Sequence, residues 1–472
     1  MIMNNQINKI LFYTRINEVL FHLEMAKQLK LIYPNVKIEF ITFFTWAAKR
    51  VKEKGYVVYY MPDELQKVTG QEISDERFEE IDRQLYNGVG ANYNLILHCE
   101  RFLPTDREDA IRFGRKHLVV LDRIIKDGTL SISAMYDHFI YWLGGSLANI
   151  RNGWHFAFVV CGVPPRRVFV QRTPWETWKV QSEEDTQRLL NKCIMDMNLP
   201  VEERIDYMQP PSTKPKFYLH IRDRLNAIRD FNFDARHEEF YFSKKISFFQ
   251  IIRNRLPRKW FLKKYLKSHD INSIDDLKSL KTPSCYYPLH LEPEATILTY
   301  SPWLRDQLEV CRLISQALPV NWKLIIKENP LMLGLRNLKY YKQLKRLPNV
   351  QLIDPTISSR NVILNSDITI TLCGTASMEA RILGKPSISL GRPPFLGMLN
   401  GGDISSGFQL AKLFEIFKSS DDSLDLETWN EWVASTFPGT AWYDYEGIHF
   451  IQKPDIGNAS EYIKIINQVV QK

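Results

Sequence analysis

The chain has 472 residues, 44% of them hydrophobic and 25% charged, with a formal net charge of +8. That apolar content excludes wholesale disorder and is enough for the cores of two large domains or more. The positive balance favours acidic partners without choosing among nucleotides, phosphates, anionic lipid and nucleic acid, and six scattered cysteines, none at CxxC spacing, argue against a zinc site or redox dithiol and fit a reducing cytoplasm.

The opening residues, MIMNNQINKILFYT, lack the apolar core of a secretory leader. No apolar run nears the roughly 20 residues that span a bilayer. A cytoplasmic protein, soluble or peripheral, is therefore expected. Lys9–Thr14 reads as a short buried strand, Val19–Leu31 has helical spacing, and Lys37–Phe43 reads as a second strand. A strand–helix–strand opening predicts a parallel, doubly wound sheet. Asn94–His98 and Ser131–Tyr136 read as further strands around a charged helix near Glu108–Lys126, and Val168–Gln171 as one more. Residues 1–180 are expected to form one Rossmann-like domain.

Residues 181–285 change character and read as a helical, basic insertion or linker. Within it, 244–267 carries nine Lys/Arg and no acid, interleaved with Phe248, Phe249, Trp260, Phe261 and Tyr265. A solvated face over a packed helix has this pattern, and so has a basic amphipathic helix on anionic lipid. Nucleic-acid binding would use the same residue types but is not the expected partner.

Residues 286–458 read as a second Rossmann-like unit. Asp306–Leu318 has helical spacing, Lys323–Lys327 is a strand, Tyr340–Arg346 a short helix, Val350–Ile353 a strand and Asn361–Asn365 part of a helix. Ser366–Gly391, SDITITLCGTASMEARILGKPSISLG, then gives strand, sharp loop, helix, turn and strand. Gly374 permits a tight turn. Thr375 and Ser377 put hydroxyls and backbone N–H groups at a helix start, where unpaired donors and a partial positive charge suit a phosphate. Gly384-Lys385-Pro386 stops the helix. An ordinary capped βαβ unit has the same pattern. Residues 459–472 hold an apolar-periodic C-terminal helix. The fold class expected is α/β, with two Rossmann-like domains (GT-B-like), a helical insertion and a C-terminal helix, and with the ligand between the domains at the carboxyl ends of the strands.

Three segments in order sharpen the reading. They are Tyr287–Leu298 (YPLHLEPEATIL), followed by Ser301-Pro302-Trp303 and Arg305-Asp306-Gln307-Leu308; Leu324–Pro330 (LIIKENP); and Asp367–Gly391. In this order they resemble the capsule polysaccharide synthesis family of bacterial glycosyltransferases, which includes β-Kdo transferases. The match covers about 286–391. The resemblance implies transfer of a sugar from a nucleotide-activated donor, a CMP-linked one among the candidates, to a glycan or glycolipid acceptor in capsule or surface-polysaccharide synthesis at the inner membrane. The nucleotide-sugar would be a substrate, with no further cofactor. No metal is expected, because no DxD pair stands at a strand end and Asp421-Asp422 reads as a polar loop.

Two departures accompany the resemblance. The family's His-Pro pair, whose His helps hold the CMP portion in related transferases, is Asn329-Pro330 here; Asn offers an N–H but cannot be cationic. The acidic segment that related enzymes carry after the strand matching Val168–Val170 is Gln171-Arg172-Thr173-Pro174. Two alternatives therefore stay open: a teichoic-acid-type polyol-phosphate transferase, and a non-catalytic subunit of a capsule assembly complex.

Glycosyl transfer needs a group to stabilise the departing phosphate, a base for the acceptor hydroxyl and support for an oxocarbenium-like centre. The donor-side candidates are Gly374, Thr375 and Ser377 for phosphate, Lys327 for its charge, Asn329 at the strand end, Glu379 for ribose hydroxyls, and Arg305 for Glu294 or donor charge. The family match makes Glu294 a catalytic or donor-contacting carboxylate. Glu100, Asp137 and His138 follow predicted strands of the first, acceptor-side domain and are acid/base candidates. Helix capping, a solvated strand-end lysine and a surface ion pair are the plain structural alternatives for these residues.

Overall fold

A computed structural model of the protein describes residues 7–15, 18–100, 103, 106–133, 138–164, 167–180, 185–198, 269–292, 294–333, 336–402, 404, 406–417, 424–439 and 459–471. Asp137 and the basic–aromatic stretch 244–267 lie outside the described residues, as does most of the expected insertion.

The fold is α/β, with two Rossmann-like sheets. In the first, β1 (Lys9–Tyr13), β2 (Lys37–Thr42), β3 (Val57–Tyr60), β4 (Thr129–Ser133) and β5 (Trp154–Val160) run parallel in the order β3-β2-β1-β4-β5. β6 (Arg167–Thr173) then adds antiparallel to β5, and the two-residue β7 (Glu176–Thr177) pairs with β6. Ile10, Leu11 and Phe12 are fully buried in the central strand. A strand covered on both faces must be apolar throughout, which is why the KILFY run is continuous rather than alternating.

The second sheet is wholly parallel. Its strands are β8 (Ser284–Pro288), β9 (Lys323–Lys327), β10 (Val350–Ile353), β11 (Ile368–Thr371), β12 (Ser387–Ser389) and β13 (Asn400–Gly401), in the order β10-β9-β8-β11-β12-β13. Both sheets thus reverse direction of growth at one point, between β1 and β4 in the first and between β8 and β11 in the second. Such switch points open a crevice at the carboxyl ends of the flanking strands.

The last strand, β14 (Thr436–Pro438), returns to the first sheet, where it lies antiparallel to β6 with Thr436 opposite Phe169. The buried Arg167 donates from Nε to Thr436 Oγ1 at 2.6 Å. The C-terminal helix Ala459–Val470 packs Tyr462, Ile463 and Ile466 against Phe21, Phe158 and Phe437. Residues 436–438, which the sequence reading assigned to the second unit, therefore complete the first.

Two predicted strands are helices. Asn94–His98 lies in the helix Tyr93–His98, whose first turn is capped by Asn92 accepting the Leu95 N–H at 2.8 Å. Thr296–Thr299 lies in the helix Ala295–Tyr300. Both are apolar runs too short to show a period, and β-branched residues in the second weight such a run towards strand. Glu100 consequently follows a helix, not a strand. Among the described residues no helix is long and apolar enough to cross a membrane.

The two units share a core. Cys161, Val163, Phe169, Cys193 and Met197 pack with Met378, Ile382, Phe395, Trp429 and Trp432. Trp432 Nε1 donates to the Val163 carbonyl at 2.9 Å. Gln171 pins the contact on the other side: its Nε2 donates to the Pro174 carbonyl at 2.7 Å and its Oε1 accepts from the Tyr300 hydroxyl at 3.1 Å. Gln171 is fully buried. A carboxylate here would face the Pro174 carbonyl with no proton to give. Gln171→Glu should lower stability by about 1–3 kcal/mol, read as a drop in melting temperature at neutral pH; an unchanged melt would contradict this role.

Candidate functional site

The donor-side candidates gather around the second sheet's switch point. After β11 the chain makes a short loop, and the helix Thr375–Ile382 begins with Gly374 at its N-cap and no side-chain cap. Its first-turn amides face the crevice end of the sheet, where a helix start favours an anion. Ser377 is fully buried and turned inward. Its Oγ donates to the Gly374 carbonyl at 2.8 Å and accepts from Thr371 Oγ1 at 3.1 Å. Thr375 is only partly buried, and its hydroxyl donates to Glu379 Oε1 at 3.3 Å. Gly384 ends the helix in the left-handed region at φ 70°, which is where glycine serves best.

The cation sits beside this loop. Lys327, the last residue of β9, is buried and its Nζ donates to Ser359 Oγ at 3.0 Å. Burial pushes its ammonium down to about 8, with the nearby charges of Glu379 and Asp354 opposing the fall. Glu379 links the two: its carboxylate accepts from Thr375 and its charge acts on Lys327. Ser359 opens the helix Ser359–Leu364 and also receives the Tyr286 hydroxyl at 3.3 Å. Ser359 was not among the expected site residues; it lies just ahead of the expected helical segment Asn361–Asn365.

Across the switch point, the segment after β8 carries His290 and Glu294. His290 Nδ1 lies 3.2 Å from Glu294 Oε2. Its ring rests on Gly374: a methyl group built on that glycine would stand 2.9 Å from His290 Cε1 and 3.2 Å from Nε2. Close approach, rather than a turn needing positive φ, is what requires glycine at 374, because its φ is −84°. Gly374→Ala should push the imidazole off the loop and weaken any anion bound there by about tenfold. Calorimetry on the alanine variant checks this; unchanged affinity would show that the contact is immaterial.

His290 is held by its backbone. Its N–H donates to Gln307 Oε1 at 2.7 Å, and its carbonyl accepts from Gln307 Nε2 at 3.2 Å and from Arg336. Arg336 is the hub of a buried ion cluster, with Nη1 2.6 Å from Glu292 Oε2 and Nε 3.0 Å from Glu328 Oε2. The Tyr341 hydroxyl completes Glu328 at 2.7 Å, and the Asn329 N–H donates to its other oxygen at 2.6 Å. Asn329 thus stands at the strand end beside this cluster. His290, Gln307 and Arg336 escaped the sequence reading; the i,i+4 spacing of His290 and Glu294 was the available signal.

In the first unit Glu100 and His138 come together. Glu100 is buried; one carboxylate oxygen accepts the Phe139 N–H at 2.9 Å and the other lies 3.3 Å from His138 Nδ1. Glu100 thereby caps the helix Phe139–Ile150, at the end where negative charge is favoured. Arg305 is exposed on the other unit, yet its charge acts on the neighbouring Cys99, opposing the upward push of burial on that thiol.

No protein-family model matches the chain, and no curated protein matches it. Among solved structures it is similar to Thermosulfurimonas dismutans KpsC, a β-Kdo 2,7 transferase, at 13% identity over 78% of this chain and 91% of that one, with a TM-score of 0.33. It is also similar to Anabaena Alr3699/HepE in complex with UDP and glucose, at 10% identity over 98% of this chain and 99% of that one, TM-score 0.26. A third is the UDP-GlcNAc 2-epimerase of Neisseria meningitidis bound to UDP-GlcNAc, at 14% identity over 98% of this chain and 99% of that one, TM-score 0.25.

Proposed function

We propose that the protein is a nucleotide-sugar-dependent glycosyltransferase of bacterial capsule or surface-polysaccharide synthesis. The donor's phosphate would sit on the first turn of helix Thr375–Ile382, with Lys327 neutralising its charge and Thr375 supplying a hydroxyl. Glu379 would be left to meet the ribose. The observation that carries this reading is a buried lysine at the end of β9 and, after β11, a helix start that no side chain caps, both at the carboxyl edge of one parallel sheet and linked by the charge of Glu379. A cation buried at that cost has an evident use when an anion joins it. The Glu100–His138 pair is the candidate base for the acceptor hydroxyl of a glycan or glycolipid.

Isothermal calorimetry with CMP, UDP, GDP and CDP, with and without acceptor glycan, tests the donor reading. At least one nucleotide should bind; binding by none would count against a transferase. Analysis of the product for incorporated phosphate separates sugar transfer from polyol-phosphate transfer. Product yields unchanged by Lys327→Met would favour the non-catalytic subunit instead. Transfer should also survive a chelator; loss of activity restored by added divalent metal would overturn the metal-free reading.

A further inference from the structure

We propose that His290 is itself a phosphate ligand of this site, with Glu294 as the group that positions it. The inference rests on the donor reading above and assigns that site a second side-chain donor beside the helix start. Three observations support it. His290 is only 9% exposed, and its Nε2 is buried without a hydrogen-bond partner among the described residues. A buried polar nitrogen left unpaired is costly enough that most such atoms have a partner in the working state of a protein. That nitrogen lies against Gly374, the N-cap of the uncapped helix, so an anion on the first-turn amides is within its reach.

The rest of the residue is already fixed. Gln307 and Arg336 hold its main chain, and Glu294 takes Nδ1. A carboxylate on one ring nitrogen fixes the orientation of the other. When both nitrogens carry protons, Nδ1–H goes to Glu294 and Nε2–H is presented to a phosphate oxygen as a charge-assisted donor. Gly374 then has a clear purpose, since any side chain there would fill the space between ring and helix. Glu294 acquires a different role from the one the family resemblance implies. Its carboxylate would orient the imidazole rather than face the anomeric carbon.

The test uses the full chain labelled with ¹⁵N in its histidines, of which there are ten, and titrated with the nucleotide from CMP, UDP, GDP and CDP that binds. His290→Gln identifies the His290 ring signals. On titration the wild-type Nε2 resonance should shift, and Glu294→Gln should alter the ring's Nδ1 signal before any nucleotide is added. By calorimetry, His290→Gln should weaken nucleotide binding by about ten- to a hundredfold, the loss of one charge-assisted hydrogen bond. Should the glutamine variant not fold, the wild-type signal identified through His290→Asn decides the matter. An unshifted His290 signal at saturating nucleotide would overturn the proposal, as would full affinity in the folded variant. If Lys327→Met loses binding while His290→Gln keeps it, His290 is excluded and the donor site stands. If the wild type binds none of the nucleotides, both fall.

Discussion

Replacing Arg336 with methionine should lower the stability of the protein by about 3–5 kcal/mol, the usual consequence of removing one partner from a buried ion cluster. Arg336 is almost fully buried between Glu328 and Glu292, and Glu328 is more buried still. Burial pushes the Glu328 carboxyl upward, while the Arg336 charge, the Tyr341 hydroxyl and the Asn329 N–H pull it back. Without the guanidinium, the upward push dominates and Glu328 is left as an unpaired charge. The sign of the pH dependence follows. A carboxyl whose folded-state value is raised destabilises the fold above that value, so the methionine variant should suffer most at neutral pH and recover as the pH falls. Urea melts at about pH 7 and about pH 5 check both the size and the direction. Adding Glu328→Gln should return part of the loss, because the two sites are in contact and their effects are not additive. A loss under about 1 kcal/mol for Arg336→Met would show that the cluster is solvated rather than buried.

Lys327→Met should weaken nucleotide binding by about ten- to a hundredfold and remove a proton linkage that the wild type carries. Burial holds the lysine at about 8 in the folded protein, below the ordinary value of about 10.4. In the unliganded protein the charged form is therefore disfavoured: the penalty is complete below about 8 and fades as the pH rises towards 10.4. For an anion the sense is reversed. An ammonium attracts phosphate and the neutral amine does not, so affinity should be greatest below about 8 and fall above it. A bound phosphate would raise the lysine again, so binding at about pH 9 should take up close to one proton. Calorimetry in buffers of different ionisation enthalpy measures that uptake. The methionine variant should show neither the uptake nor the decline. A variant that keeps both would place the linkage on another group.

Much of the scaffold was legible from the chain. Lys323–Lys327 and Val350–Ile353 emerged as strands because strands buried on both faces must be apolar throughout, and their flanking turns set their limits. Lys327 was legible as a strand-end residue because it closes such a run. Asn94–His98 was not legible: five residues, with Asn92 as a polar cap ahead of them, fit a helix or a strand equally, and only packing chose. The inward turn of Ser377 had a readable cause, since residues two apart on a helix stand about 200° apart, which points the Thr375 and Ser377 side chains to opposite sides. His290 was not legible because its meaning depends on Gly374, which reaches it only when β8 and β11 pair. The Arg336–Glu328 cluster was hidden for the same reason. Its partners come from separate strand ends, and charge alone does not reveal which residues become buried together.

A crystal structure with the tightest-binding nucleotide among CMP, UDP, GDP and CDP would test the central claim most directly. The account predicts phosphate oxygens on the first-turn amides of helix Thr375–Ile382, with Lys327 Nζ within hydrogen-bond distance. A nucleotide seated at the first sheet's switch point, between β1 and β4, with the Gly374 loop untouched, would contradict it.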